Sequence, residues 1–248
     1  MPHRILLLNP IISNMLDTVP EAFLKPNLDS RLELMVENLK FGTETIEGSY
    51  DEVLTAPFVA ERAIDAELRG FSAIVISCFL DPGLKAAREV VRIPVIGAGE
   101  SAMLTALLLG DSFSILDVGG GVYHQRTPPW RVRELGLSSR FRSALGTDLS
   151  VEDLGANFEQ VVSELVSAAR KLIEEDEADV LVLGCTGLTP FAPRIAKSLN
   201  IPVVDALLAA LTNAQSCVLN GWSHSMRSYR RPTRKNRLMP TGYRLFTS

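Results

Sequence analysis

Ala73-Ile74-Val75-Ile76-Ser77-Cys78-Phe79-Leu80-Asp81-Pro82-Gly83 opens as an unbroken apolar run, stops at a cysteine, and reaches a proline suited to the first turn of a helix. The same form returns as Val180-Leu181-Val182-Leu183-Gly184-Cys185-Thr186-Gly187-Leu188-Thr189-Pro190. Continuous Val, Ile and Leu without polar alternation describe strands covered on both faces, the condition of a parallel sheet. Ile93-Pro94-Val95 recurs as Ile201-Pro202-Val203, 108 residues on, and Pro82 recurs as Pro190 by the same shift. Asn9, ending the first apolar run, maps onto Asp117 by 108, and Cys78 onto Cys185 by 107. Four features in nearly one register read as an internal duplication.

Outward from these segments, strand-length apolar runs fall at residues 5–9, 32–39, 73–78, 95–97, 113–118, 180–185 and 203–205. Helical patterns separate them at 53–69, 82–91, 101–109, 150–176, 190–199 and 206–219. The helix expected from Ser150 has Asp153 three residues on, a capping-box variant. The alternation predicts an α/β fold of two pseudo-symmetric lobes, each a short parallel sheet flanked by helices. Residues 1–97 with 206–225 form one expected lobe, 98–205 the other, and 226–248 a basic C-terminal tail. Ligands of open α/β sheets bind beyond the carboxyl ends of the strands, so a cleft between the lobes is the expected site.

A hydrophobic fraction of 46% and a charged fraction of 22% describe an ordinary globular chain and exclude low-complexity disorder over most of its length. The central apolar stretch at 102–109 is too short for a membrane span, and the run at 5–8 is too short for a signal peptide. A cytoplasmic protein is expected, with no membrane partner. Three cysteines exclude a complete disulfide framework, and with no CxxC spacing and three histidines no metal site is expected. Residues 227–248 carry seven basic side chains (Arg227, Arg230, Arg231, Arg234, Lys235, Arg237, Arg244) and no acidic one. Without a recognisable module this reads as a solvated tail, not a nucleic-acid partner surface.

Cys78 and Cys185 thus each end a buried strand and precede a helix. Unpaired N–H groups and the positive end of a helix favour thiolate, predicting thiol pKa values drawn down from about 8.5 toward neutrality. The same groups offer a pocket for a carboxylate or carbonyl oxygen. Taken singly, either cysteine reads as an inert core residue. Their matched positions instead suggest a facing pair, one able to remove a proton from carbon and the other to return it. Cys217, inside an apolar helical pattern with no counterpart, reads as core. No phosphate-binding glycine loop is present, and no cofactor is expected. His124 beside Gln125-Arg126 reads as a solvated loop residue, and Gly119-Gly120-Gly121 as a flexible loop or lid hinge.

From Asn9 to about Asn220 the chain resembles the aspartate/glutamate racemase superfamily, and most closely its hydantoin racemase branch. The matching segments are Asn9-Pro10 with Ser13, Ile46-Glu47-Gly48-Ser49-Tyr50-Asp51-Glu52, Cys78-Phe79-Leu80-Asp81-Pro82-Gly83-Leu84, Pro94-Val95-Ile96-Gly97 and Gly184-Cys185-Thr186-Gly187-Leu188. The first cysteine segment is fairly specific to that branch; the second is shared more widely. The resemblance implies two α/β lobes, catalytic Cys78 and Cys185 acting as an acid/base pair without a cofactor, and a homo-oligomer. It further implies substrate contacts from Asn9, Ser13, Ile46, Phe79, Leu80, Thr186 and Gly187. Where the family commonly reads Asn-Pro-Asn-Thr-Ser, this chain has Asn9-Pro10-Ile11-Ile12-Ser13, and Asp117 stands where threonine is frequent. Apolar Ile11 and Ile12 favour a little-charged ring over a free carboxylate. The expected reaction is racemisation of a 5-substituted hydantoin or related cyclic amide. An aspartate/glutamate-type amino-acid racemase is the alternative, and a non-catalytic small-molecule binder is the alternative of another class.

Overall fold

Two four-stranded parallel sheets form the frame, each built by the same rule. The structure, a computed structural model, describes residues 2–119, 122–155, 157–233 and 235, the side chains of 20, 21 and 122–127 excepted. The first sheet contains β1 (His3–Asn9), β2 (Leu32–Asn38), β3 (Ala73–Ile76) and β4 (Val95–Gly97) in the order β2-β1-β3-β4. The second contains β5 (Phe113–Asp117), β6 (Phe141–Gly146), β7 (Val180–Leu183) and β8 (Val203–Asp205) in the order β6-β5-β7-β8. Register repeats with order. Leu8 stands opposite Ile76 as Leu116 stands opposite Leu183, and Ile76 opposite Gly97 as Leu183 opposite Asp205. The duplication legible in the sequence is therefore a duplication of backbone pairing.

Among the described residues seven α-helices cover the sheets: α1 (Ser49–Leu68), α2 (Leu84–Val90), α3 (Ala98–Leu109), α4 (Val122–Glu134), α5 (Phe158–Asp176), α6 (Ala192–Ser198) and α7 (Ala206–Asn220). Successive strand residues point to opposite faces, and here both faces are apolar. Leu6, Leu8, Ile74 and Ile76 pack outward with Val59, Ala63 and Leu84 of α1 and α2. Leu116, Leu181 and Leu183 pack outward with Leu165, Leu172 and Ile195 of α5 and α6. Ile5, Leu7 and Val75 of the first sheet share one central core with Ile115, Val180 and Val182 of the second. Between them lie α3 and α7, whose small residues Ala98, Ala102, Ala106, Ala206, Ala210 and Ala214 are all fully buried. The two helices pack together, α3 against β7 and α7 against β3.

Several boundaries differ from expectation. Strands β3 and β7 each stop two residues before the cysteine, which leaves both cysteines in connecting turns. Pro82 lies in the turn before α2, and Pro190 lies in a 3₁₀ turn, Thr186–Phe191, before α6. The helix expected from Ser150 begins at Phe158, where the Asn157 side chain accepts from the Gln160 N–H. The Ser150–Asp153 bonds do form, but they close a separate 3₁₀ turn, Glu152–Gly155. Strand β6 and helix α4 lie outside the expected elements. His124, read as a loop residue, falls within α4, and its side chain lies outside the described residues, as do Gly120 and Gly121 of the expected hinge.

The C-terminal segment is only partly a solvated tail. Arg227, Arg230, Arg231 and Lys235 are exposed. Tyr229, however, accepts a hydrogen bond from Arg88 Nη1 at 3.1 Å, and His224 lies 3.1 Å from the Val91 carbonyl. This fastens the start of the tail to the end of α2. Arg234, Arg237 and Arg244 lie outside the described residues. Among the described residues no helix is long and apolar enough to cross a membrane.

Candidate active site

Beyond Ile76 the chain turns sharply through Ser77-Cys78-Phe79-Leu80-Asp81. The Ser77 N–H completes the ladder by donating to the Leu8 carbonyl at 2.9 Å, and the Asp81 N–H closes the turn onto the Cys78 carbonyl at 3.0 Å. The second repeat makes both bonds again, Gly184 to Leu116 at 2.7 Å and Leu188 to Cys185 at 3.1 Å. Each cysteine therefore occupies the first turn position past the carboxyl end of its strand. Both are half-buried free thiols. The turns join directly, since Thr186 Oγ1 donates to the Ser77 carbonyl at 3.3 Å. The residue after one cysteine is bonded to the residue before the other.

The amides expected to favour thiolate are present. Gly187 N–H donates to Cys185 Sγ at 3.3 Å, and the Leu80 N–H faces the Cys78 sulfur. Burial nevertheless outweighs them. It raises the Cys78 thiol well above the ordinary range, with Asp81, Cys185 and Glu52 adding to the rise. Burial likewise pushes Cys185 up to about 12, with Asp117 and Asp205 adding, against the Gly187 and Leu188 amides. The expected fall toward neutrality is thus reversed, because removing a thiolate from water costs more here than one backbone donor at Cys78 or two at Cys185 return. The carboxylates around the pair are Asp81, Glu52, Asp117 and Asp205.

Of the other sequence-predicted residues, Asn9 ends β1 fully buried, its Nδ2 donating to Asn38 Oδ1 at 2.8 Å. Its Oδ1 has no partner among the described residues. Ser13 is engaged locally, donating to the Glu44 carbonyl at 3.1 Å. Ile46 is half-buried, Ile11 buried and Ile12 exposed. The Phe79 side chain belongs to the central core and Leu80 is buried, so what these two present toward Cys78 is backbone. A Cβ on Gly187 would approach Leu154 Cδ1 at 3.0 Å and Cys185 Sγ at 3.4 Å, so glycine there lets the chain pass close to the sulfur.

Two buried polar atoms at strand ends belong to no motif in the sequence. Ser77 Oγ and Thr147 Oγ1 are buried without partners among the described residues, and both follow the carboxyl end of a strand. A buried polar atom left unpaired costs about 1–3 kcal/mol. Together with Asn9 Oδ1 they place unmet hydrogen-bonding capacity on the strand-end side of both sheets, where α/β folds bind ligands. Their only signal in the sequence is a Ser or Thr next to a strand end.

The sequence model of the Asp/Glu/Hydantoin racemase family matches residues 13–214. A hydantoin racemase of Paenarthrobacter aurescens is 33% identical over 238 residues, covering 95% of this chain and all of the relative. A hydantoin racemase of a Pseudomonas species is 31% identical over 233 residues, covering 94% and 93%. Among solved structures, allantoin racemase from Klebsiella pneumoniae superposes with a TM-score of 0.88 at 29% identity, covering 97% of this chain and 98% of that one.

Proposed function

The chain belongs to the Asp/Glu/Hydantoin racemase family, and from that premise we propose that it racemises a 5-substituted hydantoin or a related five-membered cyclic amide through Cys78 and Cys185. The observation that carries this reading is the pairing of the two strand-end turns, joined from Thr186 to Ser77. In the proposed step one sulfur, as thiolate, takes the proton from the ring carbon. The electron pair of that C–H bond moves into the adjacent carbonyl, giving a planar enolate. The opposite thiol protonates the other face and is left as thiolate. The reverse reaction exchanges the two roles, and the summed charge of the pair is unchanged.

The raised thiol pKa values fit this chemistry. A sulfur that binds its proton tightly is a strong base once ionised, and each turnover needs one thiol still protonated. Backbone N–H groups after each cysteine, with Asn9, are the proposed partners of the ring carbonyls and N–H groups. The surrounding carboxylates disfavour a second anion, which supports a neutral ring over aspartate or glutamate.

The test is solvent deuterium exchange with single enantiomers of 5-substituted hydantoins, allantoin, aspartate and glutamate. Deuterium should enter the stereocentre of a ring substrate as it racemises. Cys78→Ser and Cys185→Ser should each lower the rate by about 10²–10⁴-fold, the usual share of one acid/base group. Full activity in both variants would overturn the two-thiol reading. Exchange confined to aspartate or glutamate would favour the amino-acid reading, and binding without exchange a non-catalytic protein.

A further inference from the structure

Asp81 is held in a way its sequence partner in the second repeat is not. Three residues after Cys78, it adopts φ +50°, a left-handed conformation unusual for a residue with a side chain. Its side chain is fully buried. One carboxylate oxygen accepts from the Gly99 N–H at 3.0 Å and the other from the Glu100 N–H at 2.8 Å, which caps the start of α3. In the second repeat the equivalent helix, α7, is capped by its own Asp205, which accepts from the Leu208 N–H. The position equivalent to Asp205 is Gly97, where a Cβ would collide with the Asp81 carboxylate. A Cβ on Gly99 would collide with the Phe79 carbonyl. The first repeat has thus moved its helix cap onto the cysteine turn, and that turn is wedged against α3.

A third ligand to Asp81 comes from the other half of the chain. Arg131 of α4 lies 3.3 Å from the carboxylate, with its own side chain largely covered. Glu134, one turn on, binds Lys85 of α2 at 2.7 Å and Arg131 at 2.8 Å. These groups line a cleft of about 190 Å³ with Glu52, Arg88 and Glu100.

We propose that Arg131 is a positioning residue for Cys78, gripping the Asp81 carboxylate so that the turn keeps the Leu80 N–H directed at the Cys78 sulfur. This rests on the two-thiol reading for its effect on turnover, but not for its effect on the thiol. Removing the cation takes the counter-charge from the buried Asp81 carboxylate and frees the turn that it grips. What is lost is the aim of the Leu80 amide. Cys185, whose turn has no arginine tie among the described residues, is the internal control.

The experiment compares wild type, Arg131→Met, Arg131→Lys, Asp81→Asn and Cys78→Ser. Racemisation of a ring substrate is measured beside the pH dependence of iodoacetamide alkylation at each cysteine, resolved by peptide mass. Arg131→Met should lower kcat by up to about 10²-fold, as small misplacements of reacting groups do, with KM changed less than about threefold. Its Cys78 alkylation midpoint should move up by about half a unit or more while that of Cys185 stays. Arg131→Lys should recover part of both effects. Asp81→Asn removes a charge that raises the thiol and leaves the Arg131 cation unopposed, so it should lower kcat while the Cys78 midpoint falls. Arg131→Lys, with smaller changes of the same sign as Arg131→Met, carries the test if Arg131→Met fails to fold. Wild-type kcat and an unmoved Cys78 midpoint in Arg131→Met, with Cys78→Ser inactive, would overturn the positioning role and leave the two-thiol reading standing. Equal movement of both midpoints would also overturn it, by showing general loosening. An active Cys78→Ser would instead remove the two-thiol reading, and the alkylation midpoints would still decide whether Arg131 governs this thiol.

Discussion

Cys78 and Cys185 both carry thiols raised by burial, and under the proposed reaction the direction of that shift sets the pH behaviour of turnover. Under the proposed two-thiol reaction, few molecules at pH 7 carry the thiolate it needs. The kcat/KM for a ring substrate should therefore rise about tenfold per unit from pH 7 to 9. A profile flat over that range would show that the free protein already holds a thiolate. The same shifts bear on stability. Each thiol keeps its proton more firmly folded than unfolded, so this contribution is complete below about pH 9 and falls away above it. Asp81 follows the same sign in another window. Burial pushes it up to about 6 against the pull of Arg131 and the Glu100 and Gly99 amides, so the stability it lends is lost as pH rises from about 4 to 6. Chemical denaturation across that range should show wild type losing stability relative to Asp81→Asn. Gly99→Ala forces a methyl against the Phe79 carbonyl and should cost about 1–3 kcal/mol, read in the same titration.

Legibility of an element followed its burial. Strands β3 and β7 are buried at every residue, and each reads as an unmistakable apolar run. Strand β6, Phe141-Arg142-Ser143-Ala144-Leu145-Gly146, lies at a sheet edge and is half-covered at most, so its side chains carry no strand signature. Helix α4 was hidden by Pro128 and Pro129 and by its polar composition. Of the proposed site, the two cysteine turns were legible, because chemistry and repeat coincide there. The Arg131–Asp81 ion pair was not legible, because it spans fifty residues with no local signal. The rise of the thiol pKa values leaves no trace in the sequence either, since helix-end amides are visible there and depth of burial is not. The same contrast predicts stability. Ile76→Ala, in a fully buried strand, should cost about 2–5 kcal/mol. Arg142→Ala, exposed on β6, should stay within about 0.5 kcal/mol. Urea midpoints at constant m-value check both.

At the scale of the whole molecule, the central core belongs to neither sheet alone. Ile5, Leu7 and Val75 meet Ile115, Val180 and Val182 around α3 and α7 in one continuous cluster. Exposing the inner face of one sheet strips the other, so denaturation should be a single cooperative transition by both fluorescence and circular dichroism. Two separated transitions would show that the halves are energetically independent.

Helix α3 follows the first sheet in the chain but lies on β7, while α7 follows the second and lies on β3. The repeats are therefore interlocked rather than side by side. Cutting the gene near codon 110 would yield two fragments, each carrying the helix that belongs over the other's sheet. Neither should fold alone, and the two should reconstitute on mixing. A half-length ancestor of this architecture would have closed its inner face only by trading helices with a twin, and gene fusion would have made that exchange permanent.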